Sequence, residues 1–383
     1  MMKKQYSHLV LFLSLCTLTA CNDSKNEDSI DPDPLPPSIT YHVEGYAELG
    51  AFDHNSTLTV FPLDKSLAHI EEQAYGGKVE TDYGLFSASG NMKFQESLYF
   101  EVQVTGNFFN GTKGRRSEHK TTLRAINHVI NHDDEERSIN RYIKLPVTNV
   151  NIFTQLTAAR ICTLLKKAAG YNEMSHTITD IYRNASEQAL KEVLTAFSIS
   201  DIYVSMLSID PTRASFSQYN APASMMAAVS NILLTSVDEE LLDTFFTEWD
   251  KDFAPDGRID NEDIKESIRD GQQSLKYTNV YKQLDSFYKA YDFKSDFPEF
   301  WKFVDRNGDG ILDKQDKPDD FEITEEELTP SKQQCIQLLE QVNKYLRDFL
   351  QTECVWEANF CGAIGPIPDY PTTLVPTDSE VYE

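Results

Sequence analysis

The sequence predicts a multi-domain α+β protein, an N-terminal β-sandwich followed by a mostly α-helical domain carrying acidic loops. Three observations predict it. Between residue 39 and about residue 148, apolar and polar residues alternate, the period of strands with one buried face. After Asn149 the apolar spacing becomes three and four, the period of helices packed on one stripe. Two segments in the helical half, 252–263 and 305–316, set oxygen-bearing side chains around a glycine at short, regular intervals.

Residues 1–20 read as a leader. MMKK is a positive start, and HLVLFLSLCTL is an apolar run too short for a stable span. LTAC, ending at Cys21, resembles the lipobox of bacterial lipoproteins, which implies lipid on the Cys21 sulfur and cleavage before it. Several acyl chains give stable anchoring to a membrane where one does not. Asn22 follows, where aspartate is the usual inner-membrane retention signal, so the resemblance favours the cell outer membrane, on its periplasmic or surface face. Residues 21–38, acidic and Pro-rich with little to bury, read as a disordered tether.

In the β half, residues 39–148, LYFEVQV places Leu98, Phe100, Val102 and Val104 on one face. STLTVFPL repeats the alternation at Leu58 and Val60, and Gly, Asn and Asp punctuate the gaps. About seven short strands fit, the number in a small sandwich. The helical half, residues 149–383, opens with a predicted helix whose stripe is Ile152, Leu156, Ala159 and Thr163, capped by Gly170. A second stripe runs through Ile178, Ile181, Tyr182, Ala185, Ala189, Val193 and Phe197. A third runs through Cys335, Leu338, Leu339, Val342, Leu346, Phe349 and Leu350. These stripes read as core. From Gly362 the Pro-rich tail reads as extended along the surface.

The chain carries 61 acidic and 35 basic side chains over 383 residues, a formal net charge of -26. Such a surface repels phosphate backbones, which excludes nucleic acid as a partner and favours divalent cations. VDRNGDGILDKQD meets the EF-hand-like calcium template. Counted from Asp305, oxygen side chains fall at positions 1 (Asp305), 3 (Asn307), 5 (Asp309), 9 (Asp313) and 12 (Asp316). Gly310 takes the sharp turn at 6, the Ile311 carbonyl serves at 7, and Leu312 at 8 points to the core. A hard ion needs six or more converging oxygens, and this spacing supplies them; Asp316 stands where the template has Glu. An Asp-rich turn without metal is the alternative.

DFAPDGRIDNED is a weaker second loop, with Asp252, Asp256, Asp260 and Asp263 at 1, 5, 9 and 12, and the Arg258 carbonyl at 7. Ala254 at position 3 has no side-chain oxygen, so water or a residue such as Asp250 must supply one; the alternative is a structural turn leading into a helix over 261–269. The two loops start 53 residues apart and Pro318 follows the second, which disfavours a compact tandem module.

Once Cys16 leaves with the leader and Cys21 takes lipid, Cys162, Cys335, Cys354 and Cys361 remain. In an oxidising compartment four cysteines permit two disulfides, and Cys354 with Cys361, bracketing a short loop, is the first choice; four buried thiols are the alternative.

With these motifs in view, the chain resembles a family of Gram-negative lipoproteins with a carboxypeptidase-regulatory-like (transthyretin-like) β domain followed by a helical domain with acidic DG loops. The resembling stretches are TDYGLF (81–86), LYFEVQVTGNFFN (98–110), NVNIFTQLTAARI (149–161), DFAPDGRID (252–260) and FPEFWKFVDRNGDGILD (297–313). TDYGLF is one residue shorter than the usual turn. The resemblance implies a fold and a location and brings no reaction with it.

The sequence holds no GxSxG elbow, HExxH pair, Walker loop or dinucleotide GxGxxG. His128 and His132 read as solvated surface residues in preference to a metal pair, and GTKGRRSEHK as a solvated hairpin tip or a contact for an anionic glycan or headgroup. The expected function is a calcium-stabilised, lipid-anchored module that binds or scaffolds a glycan or protein partner. The alternative is an envelope hydrolase acting on polysaccharide or peptide.

Overall fold

The computed structural model describes residues 39–92, 98–129, 142–172, 178–218, 220–292, 300–312 and 314–318. The chain divides into two units, Met1–Pro37 and Ser38–Glu383, and only the second contains described residues. The leader, Cys21, the tether, Asp313, Cys335, Cys354, Cys361 and the third predicted helix all lie outside the described residues.

A β-rich region precedes a helical one, as the change of period predicts. The strands are β1 (Ile39–Glu48), β2 (Thr57–Leu63), β3 (Tyr75–Val79), β4 (Leu85–Met92), β5 (Tyr99–Gly106), β6 (Phe109–Asn110), β7 (Arg115–Arg116), β8 (Thr121–His128), β9 (Tyr142–Lys144) and β10 (Val150–Asn151). In place of two facing sheets, eight of them form one sheet, seven along the hydrogen-bonded path β10-β1-β4-β3-β2-β5-β8 and β9 off it, paired with β1. β10 runs parallel to β1, with Ala47 opposite Val150. The path curls until its two ends meet: β8 lies against β10, and Asn127 Nδ2 donates to Thr148 Oγ1 at 2.9 Å.

Inside the curl sit Val43, Leu58, Val60, Phe100, Val102 and Val104, the face that the alternation assigns inward, whereas Leu98, assigned to the same face, packs half-buried on the opposite cluster. The opposite face is covered too. Leu63, Tyr99 and Ile126 pack on Ile161, Leu165 and Tyr182, so β5 is buried on both sides.

The helices are α1 (Ile152–Lys167), α2 (Ile178–Ala196), α3 (Ile202–Met206), α4 (Ala221–Ser236), α5 (Leu242–Phe253), α6 (Glu262–Ser274) and α7 (Tyr277–Lys289). α1 starts at a reciprocal cap: Thr154 N donates to Asn151 Oδ1 at 3.0 Å, and Asn151 N donates to Thr154 Oγ1 at 2.8 Å. The helix does not reach Gly170. It ends at Lys167 with Ala168 as its C-cap, and Gly170 turns the chain beyond it. Nor does it bury a single stripe. Thr154, Gln155, Thr157 and Arg160 are buried along with Ile152 and Leu156, while Ala159 and Thr163 are only half-buried. α1 packs against β8, α2 and α5 and so is enclosed nearly all round. Trp249 of α5 is fully buried and donates from Nε1 to Leu156 O at 2.9 Å, satisfying its one polar atom. α2 follows its predicted stripe, with Ile178, Tyr182, Ala185, Ala189 and Val193 buried. No helix among the described residues is long and apolar enough to cross a membrane.

Candidate functional site

The weaker loop joins two helices, α5 before and α6 after, and α6 begins at Glu262 behind an Asn261 side chain that accepts from Asp263 N. Asp252 Oδ2 accepts from Asp260 N at 2.8 Å and from Asn261 N at 3.1 Å, which closes the loop. Asp256 Oδ1 accepts from Arg258 N at 3.0 Å. Asp256, Arg258, Asp260 and Asp263 are exposed and Asp252 is half-buried. The loop's carbonyls meet a guanidinium: Arg160 Nη1 donates to Ala254 O at 3.1 Å and to Pro255 O at 2.9 Å. Gly257 at the sharp turn has φ +79°, and a Cβ there would lie 2.1 Å from Glu192 Oε2. Two independent constraints therefore demand glycine. Asp250 gives its Oδ2 to Arg124 Nη2 at 2.6 Å, and burial, partly offset by Arg124, pushes its carboxyl up to about 6.

The stronger loop follows a short 3-10 turn at Phe300–Phe303. Asp305, 3 % exposed, accepts from Gly308 N on Oδ1 at 2.8 Å and from Gly310 N on Oδ2 at 2.9 Å. Asn307 Oδ1 accepts from Asp309 N at 2.9 Å, and Asp309 Oδ1 from Ile311 N at 2.8 Å. Asp316, 1 % exposed, accepts on one oxygen from Arg306 N at 2.8 Å and Asn307 N at 3.2 Å, drawing position 12 against the start of the loop. Gly310 has φ +79° and open space where a Cβ would go, so only its backbone conformation calls for glycine. Ile311 points outward, and Leu312 packs on the core as its position predicts. Ile259, at the same position of the weaker loop, packs on that core as well.

The two loops face one cleft of about 520 Å³, lined by Gly257, Arg258 and Ile259 on one side and Asp305, Gly308 and Asp309 on the other. Sequence spacing gave no hint that segments 53 residues apart meet here.

The donor set suits a hard cation in kind: three carboxylates, an amide oxygen and a backbone carbonyl, with the amide bonds to Asp305 occupying one lone pair of each oxygen. Among the described residues, no three His, Cys, Asp or Glu side chains converge closely enough to hold a metal ion. The position 9 donor, Asp313, lies outside them.

Not every other candidate resolves as expected. His128 is not at the surface. It is 8 % exposed at the end of β8, with Nδ1 3.1 Å from Asn127 Oδ1 and Nε2 3.1 Å from Thr179 Oγ1; His132 lies outside the described residues. GTKGRRSEHK forms the β6–β7 hairpin, with Lys113, Arg115 and Lys120 exposed at a solvated tip as expected, and some of its cations also pair within the chain. Lys113 pairs with Glu239 at 3.0 Å, and Arg116 with Asp53 at 2.5 Å while lying 5.0 Å over the Phe287 ring. Cys162 is a half-buried free thiol, which burial pushes up to about 11.

Buried carboxylates also lie outside the loops, Glu48 and Glu101 in the sheet among them. Glu48 is fully buried, with Oε1 3.1 Å from Ser215 Oγ and Oε2 accepting from Phe216 N at 3.0 Å, and burial pushes it up to about 8. Glu101, 3 % exposed, joins His69 at 3.1 Å, Gln103 at 2.6 Å and Arg124 at 3.5 Å, and these partners, outweighing desolvation, hold it below the usual range. No protein-family model, curated protein or solved structure matches this chain.

Proposed function

We propose that this protein is a calcium-binding lipoprotein of the cell envelope, anchored through Cys21 to the outer membrane and acting as a binding or scaffold module. The observation that carries the reading is the burial of both ends of the stronger loop: Asp305 and Asp316 are 3 % and 1 % exposed. A buried carboxylate is costly unless hydrogen-bonded and offset by positive charge. The bonds to Asp305 come from neutral amides, and a divalent cation supplies the charge they lack. Asp305, Asn307, Asp309, the Ile311 carbonyl, Asp313 and Asp316 are the residues that would hold it. Calcium here ties the loop to itself and the loop, through Leu312, to the core. An affinity in the range of extracellular modules, Kd about 10⁻⁴–10⁻³ M, fits such a role.

The leader, the LTAC sequence and the acidic tether support the lipid anchor, and the EF-hand-like spacing and the resemblance to β-then-helical lipoproteins support the rest. Calorimetric titration of the mature chain with calcium tests the metal directly. Saturable binding that Asp305→Ala abolishes and Asp252→Ala leaves is the expected result; no heat of binding, or binding indifferent to Asp305, refutes it.

A further inference from the structure

A cavity of about 690 Å³, remote in sequence from both acidic loops, lies between the end of β8, the first half of α2 and the 204–213 segment. Its base is the His128 ring stacked on the Tyr182 ring, centroids 4.8 Å apart, with Pro146, Val204 and Ile209 adding apolar surface. Burial pushes His128 down to about 4, so its ring is neutral at physiological pH.

The rim is charged but balanced. Arg183 is bound to Asp180 at 2.5 Å, Arg213 lies 3.8 Å from Asp210, and Glu187 takes Lys191 at 2.8 Å and Ser205 Oγ at 2.9 Å. Each charge has an opposite beside it, which leaves planar donor and acceptor edges with little net field. Ser186 also lines the cavity. It is 4 % exposed and makes no well-formed hydrogen bond among the described residues; the Tyr182 hydroxyl beside it already donates to Ile126 O at 2.6 Å.

We propose that this cavity binds a short neutral oligosaccharide. The volume lies within the ordinary range for small-molecule sites, about 300–1,000 Å³. A purely apolar ligand would strip water from Ser186 and the rim groups without replacing its hydrogen bonds, which costs affinity. An anion would meet arginines already neutralised, on a chain whose net charge is -26. Sugar rings match the remaining description: C–H faces for the apolar base, and hydroxyls that donate to Glu187 and Asp210 while accepting from Arg183 and Arg213. The inference rests on the reading of the chain as a binding module and names its partner class.

The test is calorimetric titration of the mature protein with neutral trisaccharides of glucose, mannose, galactose and N-acetylglucosamine, beside a uronic-acid trisaccharide and a tripeptide. The Arg183 and Arg213 side chains are 66 % and 61 % exposed, so the double variant Arg183→Ser/Arg213→Ser removes two rim donors without touching the core. The expected result is saturable binding of at least one neutral sugar, weakened about tenfold or more in the double variant at unchanged melting temperature. Silence from all four neutral sugars, binding of the uronic acid or tripeptide alone, or affinity that the double variant retains would each overturn it. Calcium titration is read separately, so sugar binding fails or holds independently of the metal.

Discussion

Arg160 and Glu192 face each other through two parallel bonds, Nε to Oε2 at 2.7 Å and Nη2 to Oε1 at 2.9 Å, with side chains 6 % and 15 % exposed. The remaining guanidinium nitrogen reaches the Ala254 and Pro255 carbonyls. One side chain thus ties α1 to α2 and both to the 252–263 loop. Removing one partner of a buried pair strands the other, so Arg160→Met is expected to destabilise the fold by about 3–5 kcal/mol. Arg160→Lys is expected to recover only part, because an ammonium cannot reproduce the fork. Urea denaturation midpoints check both, and a loss under about 1 kcal/mol for Arg160→Met would place this pair among weak surface bridges.

Gly257 and Gly310 share one φ, +79°, but differ in surroundings. Gly310→Ala carries only the cost of a left-handed backbone, about 1 kcal/mol. Gly257→Ala adds a Cβ 2.1 Å from the Glu192 carboxylate and so also displaces the ion pair. The expected loss is at least twice as large, and equal losses in parallel thermal melts would show that the Glu192 contact is unimportant.

Glu48 sets a pH dependence with a definite sign. Its folded pKa is raised to about 8 from 4.5, so above pH 4.5 the unfolded chain releases a proton that the folded chain keeps. Stability from this group therefore falls as pH rises from 4.5 to 8, by on the order of 4–5 kcal/mol across the window. Glu48→Gln keeps the protonated shape, with an amide nitrogen for Ser215 Oγ and an oxygen for Phe216 N. Variant and wild type are expected to match near pH 4.5, and the variant to be the more stable at pH 8–9. Denaturation curves across that range decide, and a constant difference would contradict the buried-acid account.

Local period was legible where apolar side chains recur at the period of their own strand or helix. The Leu58, Val60, Phe100, Val102 and Val104 faces and the 178–193 stripe all point inward as their spacing says. It was not legible where several neighbours converge. α1 is enclosed nearly all round by β8, α2 and α5, so its buried Thr157 and Arg160 have no apolar signature. The curled sheet depends on pairings such as β1 with β10, more than 100 residues apart, which no local pattern encodes. The same holds for Asn110 Nδ2 with Glu239 Oε1 at 2.8 Å, and for Arg124 with Asp250. Of the candidate site, the loop residues and turn glycines were legible because a short segment closes on itself. The shared cleft and the Arg160 clamp were not, because they join distant segments.

The most direct test of the calcium account is a thermal melt of the mature protein in about 10 mM calcium and in chelator, repeated with Asp305→Ala. At Kd about 10⁻⁴–10⁻³ M, that concentration stabilises the folded state by about 1.5–3 kcal/mol, a shift of several degrees. The wild-type midpoint is expected to rise with calcium and fall with chelator, and the Asp305→Ala midpoint to ignore both. A wild-type midpoint that is the same in calcium and in chelator would contradict the account.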